Sequence, residues 1–247
     1  MSLPLWVSEL ATEFWASAGE EEAFPRNLRL PIATTLPLTV VLLPRLRVAR
    51  IDTWLRRQGI MCGLTTGDRA LRACLVARYS QGLVFLDGAD PEDQQRFSLA
   101  HELAHFLRDY RRPRQVVSDR LGSQVLEVLD GDRPPRSSER VQALLARVSI
   151  GFHVHLMERT GDGQMASLAI EGAERDADLL AFELLAPSAR VLEEMDRYPH
   201  PERADAMTAL LIETYGLPAQ VAVHYSLLLA PPVRRGPSFM SRLRSVT

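Results

Sequence analysis

Residues 95–107 read QRFSLAHELAHFL, and the rest of the chain is best read outward from this stretch. Its centre is His101-Glu102-Leu103-Ala104-His105. On a helix of about 3.6 residues per turn, positions four apart lie about 40° apart round the axis. Both imidazoles therefore leave one face, one turn apart, spaced for a single tetrahedral zinc. Glu102 stands about 100° round the same helix, beside such a metal rather than on it. That is the place for a general base acting on an attacking water. The chain has six histidines, and chance composition yields the whole pattern in only about 1% of such sequences.

The flanks favour a helix here. Asp90 can cap it, Pro91 suits its first position, and Glu92 and Asp93 suit the positive end of the helix dipole. Leu99, Leu103, Phe106, Leu107 and Tyr110 form one apolar stripe along it. A zinc site of this kind needs a third protein ligand and an open fourth position. A second helix, read as starting at Glu174 and stopping at Pro187, offers one. Glu174 can ligate, with Asp176 as the competing candidate. Asp178, one turn on from Glu174, can accept the outer ring N–H of a ligand histidine and fix its tautomer. Small Ala177 and Ala181 would let the two helices approach closely.

Elsewhere, Leu38–Leu43 reads as a short buried strand. Leu46, Val48, Ile51 and Leu55 mark a helix ending at Gly59. Residues 73–87 read as a hairpin turning at Ser80-Gln81-Gly82. Residues 111–137, rich in arginine and proline, read as partly irregular, and Val141, Leu144, Leu145 and Val148 as a short helix. In 150–157 apolar residues alternate with Gly151, His153, His155 and Met157, as in a half-buried strand. A turn at 160–163 and a return strand at 165–170 would complete a second hairpin. His153 and His155 share one face of that strand. The favoured reading is the polar face of a hairpin, with an oxyanion donor or a second metal site as alternatives. Tyr110 reads as packing. Residues 203–230 read as a helical pair. It has helix-turn-helix spacing, but only Gln220 and His224 could read bases, so packing on the main domain is favoured.

QRFSLAHELAHFL, followed by ERDADLLAFELLAP at 174–187, resembles the ImmA/IrrE metallopeptidases, and the lead-in GLVFLDGADPEDQ is similar to the strand and loop before their active-site helix. The likeness spans roughly residues 71–190. It implies that His101, His105 and Glu174 bind Zn2+ and that Glu102 is the catalytic acid/base. It also implies a zincin-like fold, so the expected architecture is α+β, with a small twisted sheet and an active-site helix, followed by the C-terminal helical, HTH-like subdomain read from the residues above. The activity implied is zinc-dependent endopeptidase cleavage of a cytoplasmic protein, typically a DNA-binding transcriptional regulator. The chain departs from the family pattern at Ser98, where Thr is common, and at Leu180, where Phe is usual. Glu174 also follows His105 at more than the usual separation. The extra material, about 111–165, reads as a lid, a substrate-docking surface or a surface elaboration.

The expected organisation is a peptidase domain over 1–190, a helical subdomain over 191–230 and a mobile tail over 231–247. An extended substrate is expected to add alongside the strand near Leu83–Leu86. The alternative function is a DNA-binding regulator or partner-binding module with a structural or sensory zinc.

Hydrophobic residues are 46% of the 247 and charged residues 24%, the balance of a globular protein with a sizeable core. A net charge of −2 excludes polyanion binding through bulk positive charge, so nucleic acid is not an expected direct partner. All 29 cations are arginine, which reads mainly as codon bias. Arg111, Arg112, Arg114 and Arg120, just past the active-site helix, are the cations placed to select a substrate. Cys62 and Cys74 are too few for a disulfide framework. The N-terminus turns acidic at Glu20–Glu22 and does not read as a signal peptide. The apolar run Leu30–Pro44 is short and proline-broken, so no membrane partner is expected.

Overall fold

The computed structural model describes residues 3–19, 23–64, 67–145, 148, 150–159, 168–199 and 203–230, with backbone alone at 142–145 and 168–170. The turn expected at 160–163, the start of its return strand and the tail from 231 lie outside the described residues. The fold is α+β: a small four-stranded sheet with helices on both faces.

Helix α1 (Leu5–Ala18) buries Val7, Leu10, Ala11 and Phe14, spaced as one helical face, and stops at Gly19 in a left-handed conformation. A short α2 (Arg29–Thr35) leads into strand β1 (Leu38–Leu43). Helix α3 (Val48–Arg57) follows, burying Val48, Ile51 and Leu55.

Strands β2 (Leu71–Arg78) and β3 (Gln81–Asp87) form the expected hairpin, but the turn falls at Tyr79-Ser80, one residue earlier than read. Both turn residues adopt positive φ, 55° and 59°, an uncommon backbone for residues other than glycine. Two outside groups hold them there. Asp130 Oδ1 accepts the Tyr79 N–H at 2.9 Å, and Tyr110 Oη accepts the Ser80 N–H at 2.9 Å. Gly82 serves another purpose. A Cβ there would stand 2.5 Å from Leu38 Cδ1 and 3.0 Å from the Phe106 ring, so β1 and the active-site helix close down on bare backbone.

The strand order is β1-β3-β2-β4, with β1 parallel to β3 and the other pairs antiparallel. Ala73, Leu75, Ala77, Val84 and Leu86 face one core, and Leu71, Cys74, Val76 and Phe85 face the other, which α3 covers. Burial on both faces explains why β2 reads as a continuous apolar run rather than an alternating one. Because β3 is flanked on both sides, an extended substrate cannot add along Leu83–Leu86, as the sequence suggested. Among the described residues the outer strands are β1 and β4.

Helix α4 (Glu92–His105) lies over the first face and runs on through a π-helical turn (Phe106–Arg111). Leu99, Leu103, Phe106, Leu107 and Tyr110 are all buried. The expected cap differs: Pro91 is itself the N-cap residue, extended at ψ 154°, and makes no side-chain cap bond. Asp90 lies one residue outside, and its carboxylate takes the Arg159 guanidinium at 2.7 Å instead.

Residues 112–129 are more regular than their composition suggested. Helix α5 (Arg112–Leu121) carries Pro113 in its first turn, where no N–H is needed, and α6 (Val125–Leu129) follows. Helix α7 (Ser137–Leu145) precedes strand β4 (His153–Glu158). Helix α8 (Leu168–Leu185) begins six residues before Glu174, so residues 168–170, read as the end of a return strand, are helical. A short apolar run such as this one does not by itself separate strand from helix.

Ala177 and Ala181 are fully buried where α8 meets α4, and the Phe97 and Phe182 rings stack at 5.8 Å. Helix α9 (Ser188–Met195) precedes the closing pair, α10 (Arg203–Glu213) and α11 (Ala219–Leu229). Their buried faces join the core of α4 and α8: Tyr225 stacks on Phe182 at 4.4 Å, and its hydroxyl donates to the Ala186 carbonyl at 3.0 Å. Among the described residues, no helix is long and apolar enough to cross a membrane.

Asp87, at the end of β3, ties these parts together. It accepts the N–H groups of Arg45, Leu46 and Ala89 at 2.7, 3.1 and 2.9 Å, and Arg159 at 2.6 Å. Burial pushes its pKa up, but these donors and the Arg159 charge outweigh burial and hold it below the usual carboxylate value. A depressed carboxylate stabilises the fold above its unfolded value of about 3.9, and loses that contribution as pH falls through its folded value. Asp87→Asn is therefore expected to cost about 2 kcal/mol at neutral pH, the scale of charge-assisted bonds. Below about pH 4 the gap from wild type should shrink. Urea denaturation at pH 7 and pH 3 checks this; an equal cost at both contradicts it.

Candidate metal centre

Helix α4 buries His101, Glu102 and His105 in its last turns. The two imidazoles face α8, with His101 Nε2 3.2 Å from His105 Nε2. From α8, Glu174 brings Oε2 to 3.4 Å from His101 Nε2 and Oε1 to 3.7 Å from His105 Nε2. A fourth group comes from the sheet: His155 Nε2 lies 2.9 Å from Glu174 Oε1. One ligand atom from each of the four residues falls within 4.8 Å of every other. A tetrahedral zinc with bonds of about 2.0 Å needs donors about 3.3 Å apart, so this donor set suits the ion.

The sheet register explains how His155 arrives. In the β2–β4 pairing, His155 stands opposite Leu75 and His153 opposite Ala77. Cross-strand partners point to one face, and Leu75 and Ala77 belong to the α4 side. Both histidines therefore face α4. The sequence had placed them on an outer polar face.

Each imidazole that meets Glu174 has its other nitrogen on a carboxylate. His101 Nδ1 lies 2.9 Å from Asp178 Oδ1, His105 Nδ1 2.7 Å from Asp109 Oδ2, and His155 Nδ1 2.9 Å from Glu102 Oε2. An Nδ1–H held this way leaves the Nε2 lone pair for a metal. Asp109 was not picked out from the sequence, although it lies four residues after His105 on the same face. Asp176, the competitor to Glu174, instead pairs with Arg108, which also holds Asp109.

The charges are tightly opposed. Burial disfavours protonated His101, but Asp178 and Glu174 outweigh it and raise its pKa to about 9. His155 is likewise raised, to about 10, as Glu102 and Glu174 overcome burial. His105 is lowered, chiefly by burial. Glu174, despite burial, is held far below the carboxylate range by His101 and His155. Glu102 is completely buried, and its Oε1 has no hydrogen-bond partner. An orphaned buried carboxylate oxygen costs about 1–3 kcal/mol, and an acceptor so placed is poised for a proton or a water. His153, with its orphaned Nε2, lies beside the Tyr110 ring at 5.8 Å. Burial lowers its pKa to about 4.

Two buried histidines one turn apart, a buried glutamate between them and a carboxylate from a second helix are residue types that could hold a metal ion and serve a hydrolase as ligands and base. Residues 63–126 match a family model, Peptidase_M78, the IrrE N-terminal-like domain, which supports the ImmA/IrrE likeness and a peptidase-type hydrolase. The matched segment carries His101, Glu102 and His105 and ends before His155 and Glu174. No curated protein and no solved structure matches the chain.

Proposed function

We propose that this protein is a zinc-dependent endopeptidase that cuts a cytoplasmic protein, with His101, His105 and Glu174 as zinc ligands and Glu102 as general base. The observation that carries this reading is the four-donor cluster with an unsatisfied Glu102 oxygen beside it. Bound zinc would polarise the scissile carbonyl and acidify the attacking water. With the ion held there, Glu102 would take a proton from the attacking water and pass it to the leaving amine. Asp178 and Asp109 hold the two helix histidines in the tautomer that presents Nε2.

An extended substrate segment would pair with β4, the outer strand beside the site among the described residues, in place of the interior β3. That a DNA-binding regulator is the substrate rests on the family likeness. The HTH-like reading of residues 191–230 rests on the spacing of the helical pair, which here contributes packing against α8. Co-expression with the products of neighbouring genes tests the proposal. A new fragment with a defined N-terminus is expected for one of them, and its absence for every regulator in the set counts against the substrate class.

A further inference from the structure

Every metallohydrolase site of this kind needs one coordination position free of protein. Here a third imidazole stands against that position. His155 brings Nε2 to 2.9 Å from Glu174 Oε1 and lies in the same cluster as His101 and His105. It also takes the general base, since its Nδ1 sits 2.9 Å from Glu102 Oε2. We propose that His155 is a fourth protein ligand that closes the metal site and occupies Glu102, so that the enzyme is latent until β4 withdraws it. This rests on the zinc-peptidase reading and adds its regulation.

The ring geometry shows which pair must adjust to share an ion. Three imidazoles bound tetrahedrally through Nε2 place their centroids about 5.2 Å apart, given bonds of about 2.0 Å. The His101–His105 and His101–His155 separations, 4.8 and 5.4 Å, are already near that value. His105 and His155 are stacked at 3.7 Å, so joint ligation requires one of these two rings to shift. His101 and His105 are fixed on a buried helix. His155 stands on an outer strand, and its side chain is 14% exposed against 3% and 4% for theirs. The ring with room to shift is therefore the one on the edge where an extended substrate would pair. Strand pairing there would vacate the fourth position and release Glu102 in a single movement.

The test is zinc K-edge X-ray absorption on the zinc-loaded full chain, which counts imidazoles on the metal. Wild type should show three and His155→Phe two, with His153→Ala remaining at three. Circular dichroism checks that each variant is folded, and His155→Gln serves if the phenylalanine variant is not. Hydrolysis of an unstructured casein substrate is the second readout: His155→Phe should cut it severalfold faster than wild type. Two imidazoles in both proteins would overturn the inference and leave the peptidase reading intact. Slower cutting by the variant would overturn the latency. A wild type that holds no zinc would overturn both readings.

Discussion

Glu102→Gln is expected to keep its zinc and to lose cleavage by a factor of about 10² to 10⁴, the range general acid–base catalysis supplies. Glutamine has the shape of the glutamate it replaces. Its amide oxygen can still accept from His155 Nδ1, now 2.9 Å from Glu102 Oε2, so the ligand cluster should stand. What the amide cannot do is take a proton from water at neutral pH. Glu102 is fully buried on α4, and among the described residues no other carboxylate lies within hydrogen-bond reach of His155 except Glu174, the proposed ligand. Zinc content and the yield of cut product, measured on the same preparation, separate the two roles. Retained cleavage would remove Glu102 from the mechanism, and lost zinc would make it structural.

The second large effect is on stability. Zinc binds only the folded cluster, so free zinc at about 100 times its dissociation constant adds about 2.7 kcal/mol. In a chain of this size that corresponds to a melting shift of about 5–11 °C. The increment should depend on pH with a definite sign. In the metal-free fold His101 and His155 are raised from 6.5 to about 9 and about 10. Their protons stabilise that fold fully below the unfolded value, and this contribution is lost as pH rises through 9 and 10. Zinc must displace those protons. Its increment is therefore expected to grow from pH 6.5 towards pH 9. Differential scanning fluorimetry with zinc and with a chelator measures it, and the gap should vanish in His101→Ala. A pH-independent gap would mean that these histidines are not the groups zinc deprotonates.

The legible parts of the site were those on helices. His101 with His105, and Glu174 with Asp178, follow the four-residue period of a helix face, Glu102 stands one position round from His101, and the structure brings all five together. Asp109 obeys the same period and could have been found by running it one more turn. His155 could not be found this way. Which side of a strand faces the core depends on its neighbour, and β4 takes its direction from β2, whose register no local pattern reports. Phe152 and Leu156 do pack inward, but onto the α3 core, which leaves His153 and His155 for the side of α4. The hairpin turn was misplaced for a related reason. The local pattern places the turn at Ser80-Gln81-Gly82, whereas Tyr79 and Ser80 hold their backbone through Asp130 and Tyr110, distant in sequence. Likewise β3 appeared open to a substrate only because its parallel pairing with β1 leaves no local trace.

The most direct measurement is the zinc content of purified protein, wild type beside His101→Ala. The account predicts close to one zinc per chain in wild type and essentially none in the variant. Sub-stoichiometric zinc in both, or equal zinc in both, would contradict it.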